Sequence, residues 1–184
     1  MTFDGYVAPS IFDVPGARDV AIEFHSLSKT YNMTGWRCGW ACGNAQLVGA
    51  LAKTKSFLDT GQFMAVQAAG IAALEAHAAW VPGNLAIFRE RRDAAVDAFR
   101  ANGFAGTVAP KASMYLWVPL PAGVPSLAFH ERLMEEEGVI VLAGSSLGAG
   151  GEGFFRVSFI TSPERIREAA ARAGRVLQQM AARA

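Results

Sequence analysis

Lys29 lies in the stretch HSLSKTYNMTGWRCG, residues 25–39, with Ser26 and Ser28 just before it and Arg37 eight positions after it. A lysine amine becomes a nucleophile toward a carbonyl when its pKa is lowered and the carbonyl is held in place. Ser26 and Ser28 add hydroxyl donors. Arg37 adds a planar fork of N–H groups suited to a phosphate. A small aldehyde that also bears a phosphate would engage all four side chains, and pyridoxal 5'-phosphate is such a molecule. Spacing alone leaves the ordinary reading open, a solvated turn lysine with an unrelated arginine beyond it.

The elements that must position these residues can be read from periodicity. VAIEFHSL and WRCGWACG read as two short strands, and the Lys29 segment is their connection. Gly39 and Gly43 predict close backbone approach there. From Asn44, an N-cap, the period becomes helical through NAQLVGALAKTKSFL. DTGQF interrupts it. MAVQAAGIAALEAH reads as an alanine-rich, well-buried helix. Pro82 and Gly83 predict a break, and a long amphipathic helix over 84–102 stops at Gly103. Then come a strand in TVAPKASMYLWVPLP, a helix in PSLAFHERLMEEEG and a strand in VIVLAGSSLG running into a Gly/Ser loop. GFFRVSFI is a further strand, and a terminal helix is capped by Ser162 and Pro163. The chain reads as two pieces, residues 1–82 and 83–184.

Bulk composition narrows the function classes. Hydrophobic residues make up 52% and charged residues 18%, so the chain has material for a core. The net charge of +1 gives no electrostatic case for nucleic acid or an anionic membrane. No apolar run reaches about 18 residues, and no signal peptide is visible. Cys38 and Cys42 are the only cysteines. No second ligand pair follows at zinc spacing, so no metal is expected. Buried reduced thiols suit a reducing compartment, and a cytoplasmic location is expected.

SLSKTYNMTGWRCGW closely resembles the Schiff-base segment of class I/II, fold type I aminotransferases. The wider stretch PSIFDVPGARDVAIEFHSLSKTYNMTGWR resembles the branch containing LL-diaminopimelate aminotransferases and some alanine-forming transaminases. The resemblance covers nearly the whole chain. It implies that Lys29 forms the Schiff base and shuttles the proton, and that Ser26, Ser28 and Arg37 hold the cofactor phosphate. GGEGFFRVSFI is similar to the family strand whose arginine grips the substrate α-carboxylate, which implies that role for Arg156. In the preceding loop, LAGSSLGAGGEG, Ala143 stands where the family usually has proline and Leu147 where it has an aromatic. DTGQF, with Gln67 downstream, resembles a family loop near the dimer interface and equally reads as an ordinary turn. Tyr115 and Trp117 read as core, His25 as a packed strand residue. His77 and His130 receive no role.

The fold so implied is α/β: the C-terminal part of the PLP-binding large domain (1–82), then a small α+β domain (83–184). The family's glycine-rich turn, ring-stacking aromatic, asparagine and ring-nitrogen aspartate have no counterpart here. Asp4 and Tyr6 do not match the family spacing. The chain is therefore expected to be the C-terminal half of such an enzyme. The implied reaction is transamination between an amino acid and a 2-oxo acid, with LL-diaminopimelate and 2-oxoglutarate of lysine biosynthesis favoured. The alternatives are an alanine-type enzyme or a catalytically silent fragment. A homodimer is implied, and no DNA-binding module is visible.

Overall fold

The run IEFHS, with β-branched Ile22 and aromatic Phe24, forms β1, Ile22–Ser26. β2, Gly39–Gly43, returns antiparallel, with Ile22 opposite Gly43 and Ser26 opposite Gly39. A Cβ at Gly39 would lie 2.5 Å from the His25 carbonyl oxygen, so only glycine lets the strands meet beside Ser26. The computed structural model describes residues 1–181. They divide into two units, Met1–Asn84 and the chain from Leu85 onward.

In the first unit, a short 3-10 turn at Ile11–Asp13 is capped by Ser10 and followed by α1, Ala17–Val20. Glu23 of β1 fastens this leading segment. Its carboxylate accepts from the Ser10 hydroxyl (2.6 Å) and the Ile11 N–H (3.0 Å). α2, Ala45–Leu58, starts where the Asn44 side chain accepts from the N–H groups of Gln46 and Leu47. α3 spans Met64–Glu75. The expectation that α3 is well buried is not met: of its residues only Gly70 is buried, and Met64, Ile71 and Leu74 are exposed. Alanine-rich composition stabilises a helix without specifying a covering surface. Phe57 and Leu58 at the end of α2 are exposed as well. Cys38 and Cys42 are free thiols and half-buried rather than fully buried.

α4 runs unbroken from His77 to Ala101 with Pro82 inside it. The expected break at Pro82 is therefore absent. Pro82 is the sixth residue of this helix; it forfeits one backbone donor, yet its fixed φ is helical and the helix continues past it. In the second unit, β3 (Tyr115–Pro119), α5 (Ser126–Glu137), β4 (Leu142–Ala143), β5 (Phe154–Ser158) and α6 (Pro163–Ala181) follow. The strands form one antiparallel sheet in the order β3-β5-β4. Its core is aromatic: the Phe155 ring meets those of Phe104 (5.3 Å), Phe129 (4.9 Å) and Phe99 (5.8 Å). Burying each such ring contributes about 1.5–3 kcal/mol. α6 adds the stripe Ile166, Ala170, Ala173 and Leu177, all buried.

The expected strand in VIVLAGSSLG shrinks to Leu142–Ala143 because the chain turns at Gly144. The backbones of Gly144 and Gly151 meet with no space for a Cβ on either. No helix among the described residues is long and apolar enough to cross a membrane.

Two outcomes are expected. Gly144→Ala puts a methyl against fixed backbone and should destabilise the second unit by about 1–3 kcal/mol. Gly35→Ala, where nothing lies within 4 Å, should change little; denaturant unfolding compares them. The bonds from the Ser10 hydroxyl and then Ile11 N–H hold the Glu23 carboxyl below the ordinary carboxylate range. A carboxyl lowered by folding stabilises fully above its unfolded pKa, about 4.3, and that stabilisation is lost as pH falls through the folded value. Glu23→Gln should therefore lower stability near neutral pH and flatten the acid side of the pH–stability curve.

Candidate active site

The connection between β1 and β2 is closed by the Leu27 N–H donating to the Cys38 carbonyl (3.2 Å). Leu27 and Met33 are buried beneath it, and the Tyr31 and Met33 N–H groups both donate to the Leu27 carbonyl. Over this base runs a polar web. The Ser28 N–H donates to Ser26 Oγ (3.1 Å). Thr34 Oγ1 donates to the Ser28 carbonyl (2.9 Å), and Arg37 Nη1 donates to the Thr34 carbonyl (2.8 Å). Ser26, Ser28 and Arg37 thus belong to one hydrogen-bonded structure, and Lys29 occupies its turn with an exposed side chain. Arg37 itself sits at φ 52°, ψ 48°, a left-handed conformation uncommon outside glycine. A non-glycine residue held there by its own side-chain bond marks a local constraint.

Thr34 was not singled out in the sequence, although it ties the serine end of the web to the arginine end. Its only signal was its place between the lysine and the arginine. A hollow of about 690 Å³ is lined by Arg37 together with Leu27, Cys38, Trp40, Lys55 and Gln67. The DTGQF turn thereby reaches the same hollow as Arg37 through Gln62, and α3 reaches it through Gln67. His25 stacks on Trp40 at 5.1 Å and bonds to Glu23, yet it is exposed rather than packed.

Arg156 belongs to the second unit. It lies on the central strand β5, opposite Trp117 on β3 and Leu142 on β4. Strand alternation sends the adjacent Phe155 into the core and Arg156 to the other face. There its guanidinium lies 4.3 Å from the centre of the Tyr115 ring, and Trp117 stacks on Phe154 at 5.4 Å. Tyr115 and Trp117 are therefore on the Arg156 face of the sheet and not in the core. A cation over a ring face is held flat and partly desolvated, which leaves its N–H edge available to a carboxylate.

The loop before β5 is pinned from outside. The Ser126 N–H and hydroxyl donate to the two Glu152 oxygens (2.8 and 2.9 Å), and the Ser145 N–H donates to Ser126 Oγ (3.2 Å). The Ser126 N–H, followed by its hydroxyl, lowers the Glu152 carboxyl below the ordinary range. Ala143 has φ −58°, close to the value proline would impose. The alanine keeps the backbone angle expected of the family's proline. Among the described residues no group of three or more His, Cys, Asp or Glu side chains could hold a metal.

A sequence profile of the aminotransferase class I and II family matches residues 4–172. The chain belongs to that family. Its relatives include an LL-diaminopimelate aminotransferase from Moorella thermoacetica, 48% identical over 177 residues, covering 96% of this chain and 45% of the relative. Another, from Desulforudis audaxviator, is 48% identical over 169 residues, covering 92% of this chain and 43% of that one. Among solved structures, a probable N-succinyldiaminopimelate aminotransferase from Thermus thermophilus superposes with a TM-score of 0.86 at 35% identity, covering 95% of this chain and 46% of that one. The aromatic aminotransferase from Pyrococcus horikoshii gives 0.90 at 29% identity, over 98% and 49%. The chain thus spans less than half the length of the relatives it matches and carries part of the fold type I architecture. The family's enzymes depend on pyridoxal phosphate.

The donor set fits such a group. Ser26 Oγ accepts from Ser28 and keeps its own proton to donate. Arg37 uses one N–H on Thr34, and a guanidinium has five. No carboxylate takes part in the web, so nothing in it opposes a phosphate dianion. The Thr34 hydroxyl is the link whose loss separates the two ends. Thr34→Val should cost about 0.5–1.5 kcal/mol and weaken inorganic phosphate binding, read by chemical-shift titration of the Ser28 and Arg37 amides.

Proposed function

We propose that this chain supplies the lysine, phosphate-binding and carboxylate-binding groups of a pyridoxal-phosphate-dependent aminotransferase. The observation that carries this reading is the hydrogen-bonded web from Ser26 to Arg37 around the Lys29 turn. Lys29 binds the cofactor aldehyde through Nζ. Ser26, Ser28 and Arg37 hold its phosphate. Arg156, flattened on Tyr115, takes the substrate α-carboxylate bidentately, the group common to amino acids and 2-oxo acids. Pyridoxal phosphate, when bound, supplies an electron sink for the pair left behind when the α-proton departs. Once the substrate amine has displaced it from the aldehyde, Lys29 Nζ would be the free base placed to take that α-proton and hold it for return.

The substrate pair we favour is LL-diaminopimelate and 2-oxoglutarate, in lysine biosynthesis. The support is the activity by which relatives 48% identical to this chain are named. An alanine-type enzyme is the alternative. We also read residues up to Pro82 as the remainder of the large domain and those after it as the small domain. A homodimer and a cytoplasmic location complete the proposal; the two free thiols fit a reducing compartment.

One observation favours a second reading, a fragment that folds without turnover. Phe57, Leu58, Phe63 and Met64 are all more than 70% exposed, a surface that ordinarily has a cover. Coexpression with the remaining portion of a relative separates the readings: recovered transamination supports the first, and continued silence with both parts folded supports the second.

The chain mixed with pyridoxal 5'-phosphate should gain visible absorbance, and Lys29→Ala should abolish it. Arg37→Ala should weaken binding about tenfold to hundredfold, as expected for lost charge-assisted bonds. If Lys29→Ala retains the wild-type band, the assignment of that lysine fails.

A further inference from the structure

The three residues that follow Lys29 all reach the beginning of α4. The Thr30 carbonyl accepts from Asn84 Nδ2 (3.3 Å). The Tyr31 phenol shares a hydrogen bond with His77 Nδ1 (2.7 Å), and its ring stacks on Trp80 at 6.5 Å. Asn32 Nδ2 donates to Asn84 Oδ1 (3.1 Å). His77, Trp80 and Asn84 are spaced i, i+3, i+7, so they occupy one face of α4. All of these residues belong to the first unit.

Asn84 is the hub. It is only 7% exposed, and its amide uses both ends, donating to Thr30 and accepting from Asn32. A buried amide satisfied at both ends fixes its partners in one geometry, because leaving either end unmatched is costly. Asn32 needs such holding, since its φ is 52°. The turn's own backbone bonds are long, with the Tyr31 and Met33 N–H groups 3.3 and 3.4 Å from the Leu27 carbonyl and the Asn32 N–H 3.4 Å from the Lys29 carbonyl, and Ser26, Lys29 and Asn32 are exposed. Nothing in the web from Ser26 to Arg37 restrains residues 30–32 by a side chain. The polar web fixes the serine and arginine ends, and the helix face fixes the middle.

We infer that Asn84 and His77 are positioning residues for Lys29, clamping the lysine turn to α4 through Thr30, Tyr31 and Asn32. The inference rests on the reading of Lys29 as the cofactor lysine. Neither residue touches the cofactor in this account; each acts by restricting where the lysine backbone can sit. A lysine that must first receive an aldehyde and then deliver a proton at a nearby carbon gains from a fixed origin, since misplacement of a reacting group is strongly penalised.

The test compares wild type, Asn84→Ala and Tyr31→Phe in the full chain. Amide hydrogen exchange is followed in the peptide covering residues 27–36 and in α6. Condensation with pyridoxal 5'-phosphate is titrated by visible absorbance. Asn84→Ala should speed exchange in 27–36 about tenfold, as two bonds to a buried amide are lost, and leave α6 unchanged. Tyr31→Phe, which removes one oxygen, should speed it about threefold. The dissociation constant for pyridoxal phosphate should rise in the same order. Unchanged exchange in 27–36 overturns the clamp. So does faster exchange with unchanged affinity, since the turn would then be loose without consequence for Lys29. Should Asn84→Ala also deprotect α6, Tyr31→Phe decides by the same two criteria. A wild-type chain that takes up no pyridoxal phosphate sinks the cofactor reading instead, and the exchange comparison still decides whether Asn84 holds the turn.

Discussion

The Lys29 turn is held by hydrogen bonds rather than by burial, and that constraint shapes the first unit. A side chain that reacts with a soluble molecule must be reachable, so the turn cannot be sealed inside a core. Its backbone must nonetheless keep one conformation. Closure at Leu27 and Cys38 and the links through Ser28, Thr34 and Arg37 meet both demands. Each bond contributes only about 1 kcal/mol net, so the geometry depends on their number and mutual support. The glycine at position 39 belongs to the same constraint, because it lets β2 come against His25 and brings Cys38 within reach of Leu27.

The second unit solves a different problem. Arg156 must present a charge on one face of a strand whose other face supports a core. β5 is the central strand, so Phe155 can gather Phe99, Phe104 and Phe129 beneath the sheet while Arg156 stays above it. The aromatic neighbours on the upper face are not an extension of the core. Tyr115 supports the guanidinium, and Trp117 with Phe154 forms an apolar shelf beside it. The Gly144–Gly151 contact and the Ser126–Glu152 bonds set where β5 begins, and hence the register that sends Arg156 upward.

What the sequence disclosed follows the range of the interactions. The strands around Lys29, the Asn44 cap and the terminal helix are local features, and local spacing makes them readable. Tyr31 and His77 are separated by 46 residues, Asn32 and Asn84 by 52. No periodicity links such positions, and His77 shows its partner only in the folded chain. Pro82 misled because a proline's effect depends on how many turns precede it. The alanine-rich helix misled because apolar composition tells how much surface seeks cover and not whether cover is present. Tyr115 and Trp117 read as core from the sequence because an alternating strand offers two apolar faces, and the sequence does not say which one carries the charge.

The two units give the proposed cofactor lysine and the proposed carboxylate-binding arginine different supports. The lysine changes its bonding partner during the proposed reaction, so its surroundings must tolerate an amine that is first joined to the cofactor and then released. Polar groups that hold the backbone of the turn permit this. The arginine keeps one charge and one partner type throughout, and a rigid strand with an aromatic backing suits a group that has only to remain aimed. The arrangement also orders the consequences of substitution. A change in the Phe155 cluster acts on stability first and reaches Arg156 through it. A change at Thr34 or Asn84 removes one or two bonds at the margin of a small unit and acts on the position of Lys29 with less cost to the fold.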